Sequence, residues 1–176
     1  MKKTLIVIDM QNDFIDGSLG TAEAVKIVPN VRKKIEEYRS NGDEIIFTRD
    51  THGEDYLSTP EGKKLPVVHC VKNTHGWQIA DGLDVPDAIH IDKPSFGYTH
   101  WDKFCFEKIE LAGLCTDICV VSNALILKAL FPNAEISVDS ACCAGVTPET
   151  NNSALTTMKM CQIDVCLLYT SPSPRD

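Results

Sequence analysis

Short runs of β-branched and other apolar residues alternate along this chain with longer stretches of helical periodicity. Leu5-Ile6-Val7-Ile8 is a continuous apolar run that ends at Asp9, which predicts a strand over residues 4–9 buried on both faces. Residues 27–40 place apolar positions on one helical face, Pro29 is tolerated in a first turn, and Asn41-Gly42 ends the helix. Further strands are predicted at 44–48, 88–92, 108–114 and 135–139, with a last one beginning near 162–165. A second helix is predicted over 119–130, stopped near Pro132-Asn133, and a third opens at Thr147 or Pro148 and runs to about Met160. Residues 49–87 carry Pro60, Pro66 and Pro86 and read as a long loop-rich segment, which in a compact domain points to function. The alternation predicts a three-layer α/β/α domain, Rossmann-like, on a mainly parallel sheet.

Composition sharpens this. A chain of 176 residues fits one domain with a single core, and 43% hydrophobic with 24% charged residues is that of a soluble globule. The net charge of −8 argues against a nucleic-acid partner, because phosphate contact needs a basic face. Met1-Lys2-Lys3-Thr4 resembles a signal-peptide n-region, but the apolar stretch after it breaks at Asp9. No apolar run approaches the roughly 20 residues that span a bilayer, so no membrane partner is expected. Eight cysteines without a secretion signal read as reduced thiols of a cytoplasmic protein rather than a disulfide framework. Cys115 and Cys119 lack the second pair that a four-thiolate zinc site needs, and Cys142-Cys143 read as packing or turn residues.

Three predicted strands end in reactive groups. Asp9 closes the first, Lys93 follows the third, and Cys119 sits just past the fourth, in the first turn of the next helix. Unpaired amides and the helix dipole at that turn favour a thiolate, hence a nucleophile. Each residue alone has an ordinary explanation: a turn carboxylate, a solvated strand end, a buried apolar cysteine. Together they fit an open parallel sheet, where ligands bind outside the carboxyl ends of the strands.

Five segments in order, Ile8-Asp9-Met10-Gln11-Asn12-Asp13-Phe14, Thr48-Arg49-Asp50-Thr51-His52, His69-Cys70-Val71, Lys93 and Gly113-Leu114-Cys115-Thr116-Asp117-Ile118-Cys119, resemble the isochorismatase-like cysteine hydrolase superfamily, which includes the nicotinamidases. The resemblance spans residues 5 to about 165. It implies a six-stranded sheet and a catalytic triad of Asp9, Lys93 and Cys119. It also implies an oxyanion hole from the amides of Cys115 and Cys119, with a cis peptide between Leu114 and Cys115. Asp50, His52 and His69 match family metal-ligand positions, and carboxylate with imidazole suits zinc, manganese or iron. Glu61 is the candidate fourth ligand, with Glu54 as its alternative. No organic cofactor is implied.

The implied activity is hydrolysis of a small amide through a thioester, with nicotinamide to nicotinate and ammonia the leading expectation. Two positions depart from the nicotinamidase pattern: Pro66 where many carry tryptophan, and Pro94 where many carry glycine. Phe14, Phe96 and Tyr98 are therefore the candidates for an aromatic wall, with Trp101 read as core. Isochorismate and ureido- or carbamoyl-amides remain alternative substrates. A thiol redox or binding module built on Cys115, Cys119 and Cys142-Cys143 remains an alternative class. Homo-oligomerisation is left open.

Residues 166–176, Cys-Leu-Leu-Tyr-Thr-Ser-Pro-Ser-Pro-Arg-Asp, can be back-translated into a string resembling the adaptor DNA of transposon-based sequencing libraries. The expectation is one native domain over 1–165 followed by a non-native tail, with the last strand cut short and Leu167 and Leu168 able to complete it by accident. A continuous native reading frame through codon 176 would exclude this origin.

Overall fold

A computed structural model describes residues 2–166. Its core is a six-stranded sheet in the order β3-β2-β1-β4-β5-β6. The strands are β1 (Lys3–Ile8), β2 (Glu44–Asp50), β3 (Ile89–Lys93), β4 (Lys108–Leu114), β5 (Glu135–Ala144) and β6 (Asp164–Cys166), and every neighbouring pair is parallel. The order reverses between β1 and β4, which opens a crevice at their carboxyl ends.

The apolar run of β1 is explained by its two covered faces. Leu5 and Val7 enter a core under α2 (Ala22–Asn41), while Ile6 and Ile8 enter a second core under α4 (Val121–Leu130) and α5 (Pro148–Met160). Side chains alternate across a strand, so a strand sandwiched between helices has no polar face to show. Burying each such side chain stabilises the fold by about 1.5–3 kcal/mol. Lys34 of α2 reaches Glu110 of β4 at 2.7 Å and Asp139 of β5 at 2.8 Å, fastening the helix across two strands.

Three boundaries differ from expectation. Helix α2 begins at Ala22, because the Thr21 hydroxyl accepts a hydrogen bond from the Ala24 amide at 3.0 Å and caps it. Pro29 therefore lies inside the helix and not in its first turn. Strand β5 continues through Asp139 to Ala144 past a register shift opposite β4. The 49–87 segment holds a 3-10 turn (Tyr56–Ser58), the short helix α3 (Pro60–Lys64) and two isolated bridges, Gln11–Ile79 and His52–Val71. A one-turn helix, α1 (Asn12–Ile15), follows β1.

The expected tail lies outside the described residues apart from Cys166, which pairs with Asp139 as the last residue of β6. All eight cysteines are free thiols. Cys142 and Cys143 face opposite cores of the sheet. Among the described residues no helix is long and apolar enough to cross a membrane.

Gly113 is where the two halves of the sheet meet. Its φ is +124°, and a Cβ there would strike the Ile8 carbonyl of β1. Gly113→Ala adds both backbone strain and a backbone clash, so it is expected to lower unfolding stability by about 3 kcal/mol. A urea titration showing a reduced midpoint at unchanged m-value checks this.

Candidate active site and metal cluster

The crevice is furnished by strand ends. Asp9 follows β1 with φ of 49°, its amide donating to the Thr48 carbonyl at 3.1 Å. The Thr48 hydroxyl donates to Asp9 Oδ1 at 2.6 Å, so one carboxylate oxygen is held by the neighbouring strand. Lys93, the last residue of β3, reaches over β2 to place Nζ 2.6 Å from Asp9 Oδ2. The same ammonium lies 3.5 Å from Cys119 Sγ and 3.1 Å from the Ser95 carbonyl. Asp9 and Lys93 are both fully buried.

Beyond β4, the Leu114–Cys115 peptide is cis. Cys119 then lies in a π-helical turn, Thr116–Val120, that leads into α4. The wide turn leaves carbonyls to be satisfied by side chains, and Ser122 takes that of Ile118 at 2.6 Å while Asn123 takes that of Cys119 at 2.8 Å.

The electrostatics differ from the thiolate expected at a helix start. Burial first, then the Asp9 charge, pushes the Cys119 thiol well above its ordinary pKa, and the Lys93 charge only partly offsets this. Burial likewise raises Asp9, against the opposing pull of Lys93. For Lys93, burial would lower the pKa, but Asp9, Cys119 and Asp50 outweigh it and keep the ammonium charged. Burial thus holds the proton on the thiol, beside an Asp9 carboxyl and a Lys93 ammonium 2.6 Å apart.

A second group of side chains adjoins it. Asp50 ends β2, and His52 follows after one residue. The bridge between His52 and Val71 brings the 69–72 segment alongside, so that His69 stands against His52 with ring centroids 4.8 Å apart. Glu61 comes from α3, whose first turn is capped by the Thr59 hydroxyl. One ligand atom from each of Asp50, His52, Glu61 and His69 can be chosen so that all lie within 4.8 Å of one another. Glu54 is exposed and outside this group.

The donor set fits a divalent cation. Two carboxylates balance its charge, and two imidazoles suit a borderline metal such as zinc. His69 Nδ1 sits 2.8 Å from the Val67 carbonyl, which holds the proton there and leaves Nε2 as the ligand atom. Asp50 Oδ2 is the oxygen turned to both imidazoles, 2.9 Å from His52 Nε2 and 3.5 Å from His69 Nε2, so it is the carboxylate atom that an ion among these side chains would use. Burial alone would raise Asp50, but hydrogen bonds from His52 and His69 and the Lys93 charge hold it far below the usual carboxylate range.

Both groups open into one cavity of about 260 Å³. Cys115, Cys119, Asp50, Glu61 and His69 line it, with Phe14 and Phe96 among its apolar walls. Tyr98, expected beside them, is not in the lining: it packs edge-on against Trp101 at 5.0 Å. Trp101 is fully buried, as a core residue.

Several contributors were missed in the sequence. Leu19, Thr21, Leu65, Ile118 and Val146 complete the wall from separate loops, and no local pattern marks them. Gln11 uses its carboxamide to bind both the amide (2.7 Å) and the carbonyl (2.8 Å) of Asp50, and its place in the Asp9–Phe14 segment was the available signal. Tyr56 packs on both His52 and His69 at 4.7 and 4.9 Å.

Known proteins resemble this arrangement. A Bacillus subtilis protein described as an uncharacterized isochorismatase family protein is 32% identical over 143 residues, covering 71% of this chain and 78% of its own. The nicotinamidase of Saccharomyces cerevisiae is 25% identical over 93% of this chain and 98% of its own. The crystal structure of a Pyrococcus horikoshii pyrazinamidase in complex with zinc superposes with a TM-score of 0.79 at 28% identity, covering 96% of this chain and 100% of that one. The isochorismatase domain matches residues 3–168, and the chain belongs to that family.

Proposed function

We propose that this hydrolase cleaves the C–N bond of nicotinamide, giving nicotinate and ammonia, with Cys119 as nucleophile. The observation that carries this reading is that Cys119 and the Asp50–Glu61–His69 side chains line one small cavity with aromatic walls. The similarity to a nicotinamidase and to a zinc-bound pyrazinamidase supports it. A cavity of about 260 Å³ falls just below the range for drug-sized ligands and suits a single-ring amide.

The chemistry follows from the resting protonation. The Cys119 thiol gives its proton to Asp9 as Sγ attacks the amide carbonyl, and the Asp9–Lys93 pair keeps the proton within the site. The carbonyl oxygen takes up the negative charge, and the backbone amides of Cys115 and Cys119 are the proposed donors to it. Asp9 returns the proton to the amide nitrogen, the C–N bond breaks, and ammonia leaves behind a thioester. Water then gives a proton to Asp9 and adds to the thioester carbon. The C–S bond breaks, Sγ is reprotonated, and the acid is released. Asp50, His52, Glu61 and His69 would hold a divalent ion, with zinc preferred. Such an ion supplies a Lewis-acid site for the ring nitrogen and so orients the ring.

An anionic substrate fits less well. Isochorismate and carbamoylated amino acids carry carboxylates, yet no lysine or arginine is among the residues lining this cavity, while Asp50 and Glu61 are. Desolvating an anion beside two carboxylates is unfavourable. The redox-module alternative loses its Cys142-Cys143 pair, because those thiols face opposite cores.

Ammonia release from nicotinamide is the direct test. Cys119→Ala is expected to lower kcat/KM by more than about 10⁴-fold with an unchanged melting temperature. Asp9→Asn keeps the shape but removes the proton acceptor, and is expected to cost about 10³-fold in kcat. No release from a folded, metal-loaded protein would reject nicotinamide as substrate.

Chelation is expected to abolish turnover, with zinc restoring it. Zinc should also raise the melting temperature of the chelated protein, because it binds the folded state. His69→Ala should lose stoichiometric zinc by elemental analysis. A chelated enzyme with full activity, or a melting temperature indifferent to zinc, would contradict the metal assignment.

A further inference from the structure

Asn123 is a fully buried side chain on α4, one turn beyond Cys119. A carboxamide offers two N–H donors and two acceptor lone pairs, and here all four are used. Nδ2 donates to the Cys119 carbonyl at 2.8 Å and to the Phe96 carbonyl at 3.1 Å. Oδ1 accepts from the Tyr98 amide at 2.9 Å and from Trp101 Nε1 at 3.0 Å. The partners fix the orientation, since a flipped amide would set N–H against two donors and oxygen against two carbonyls.

These bonds join two separate parts of the cavity. One part is the nucleophile's own turn. The other is the loop after Lys93, whose Phe96 lines the cavity with 41% of its surface exposed. A side chain that exposed has little packing of its own to hold it, so its backbone must be held instead. The Phe96 carbonyl and the Tyr98 amide are the points at which Asn123 does so.

Resting on the reading of Cys119 as nucleophile, we propose that Asn123 is the positioning residue that sets the gap between the Phe96 wall and the Cys119 thiol. It thereby selects which flat amides reach the sulfur. Asn123 touches neither substrate nor reacting atoms in this scheme; it acts through the two backbones it ties together.

Asn123→Ser separates its two tasks. A helical serine can bond the carbonyl four residues back, here that of Cys119, but it is too short to reach the Phe96–Tyr98 loop. The two bonds to the loop are lost, and the expected result is a KM for nicotinamide raised about tenfold, with kcat changed less than about threefold. Phe96→Ala should raise KM similarly, and the double variant should be no worse than about tenfold because both act on one wall. Asn123→Thr makes the same back-bond with its hydroxyl, fills more of the vacated space, and decides the same quantities if the serine variant does not fold.

A second measurement needs no turnover. Cys119 is labelled with iodoacetamide and with the bulkier N-phenylmaleimide, and both rates are followed by peptide mass spectrometry. The rate ratio of bulky to small reagent should rise at least about fivefold in the Asn123 variants, since a wall that has lost its two bonds to this side chain admits more bulk. A raised ratio in a protein that never hydrolyses nicotinamide would uphold the role of Asn123 and overturn only the substrate. Multiplicative KM effects in the double variant, or an unchanged labelling ratio in folded variants, would overturn the proposal.

Discussion

The Lys93–Asp9 ion pair is the constraint around which the site is arranged. Both side chains are fully buried, and the charged atoms are 2.6 Å apart. Removing two charges from water costs several kcal/mol each, and a pair of this kind is often no more stabilising than apolar residues of the same volume. Its presence is therefore better explained by chemistry than by stability. Lys93 is kept charged by the Asp9 and Asp50 carboxylates, while burial pushes Asp9 up and the Lys93 charge only partly offsets it. The thiol beside them stays protonated, because creating a third buried charge next to Asp9 is unfavourable. The arrangement suits a proton that moves from sulfur to carboxylate only when an electrophile takes up the sulfur's electrons.

Much of this was legible in the sequence because parallel sheets write their strands as continuous apolar runs. Leu5–Ile8, short and rich in β-branched residues, reads as a strand covered on both sides, with the polar residue ending it at the carboxyl edge. The chemistry of three such ends was visible for the same reason. What failed was governed by tertiary context. The cap of α2 lay in Thr21, while Pro29 drew attention to a later start; a proline eight positions in is tolerated by the surrounding packing rather than by local preference. Asp139 looked like the end of β5, yet Lys34 neutralises it and lets the strand run on to Ala144. Aromatic residues were the least legible. Phe96 and Tyr98 are two positions apart on one loop, and only the fold decides that the first lines the cavity while the second packs on Trp101.

The long segment between β2 and β3 shows how a loop acquires function from a rigid frame. His52 is fixed by its place just past β2, but Glu61 and His69 reach it only because bridges and caps fold the loop back. Tyr56 fills the space behind both imidazoles and donates its hydroxyl to the Leu65 carbonyl at 2.9 Å, so the rings rest on a packed surface. Ligand residues held in this way keep their separation without the ion's help, which lowers the entropy lost when one binds.

Asp50 connects the two chemistries. Its Oδ2 faces His52 at 2.9 Å and His69 at 3.5 Å, while its Oδ1 stands 3.9 Å from the Lys93 ammonium. One carboxylate thus stands between the Lys93 ammonium and the two imidazoles. Gln11 bonds its backbone amide and carbonyl, which fixes the point from which the side chain projects. At such distances in a buried setting, charge interactions are several-fold stronger than in water. A cation bound at the cluster would draw the Asp50 charge away from Lys93. The ammonium would then be left more strongly committed to Asp9 and Cys119. On the proposed reading, such an ion would bear on Cys119 through a shared carboxylate, and substitutions at either end of Asp50 are not independent of each other.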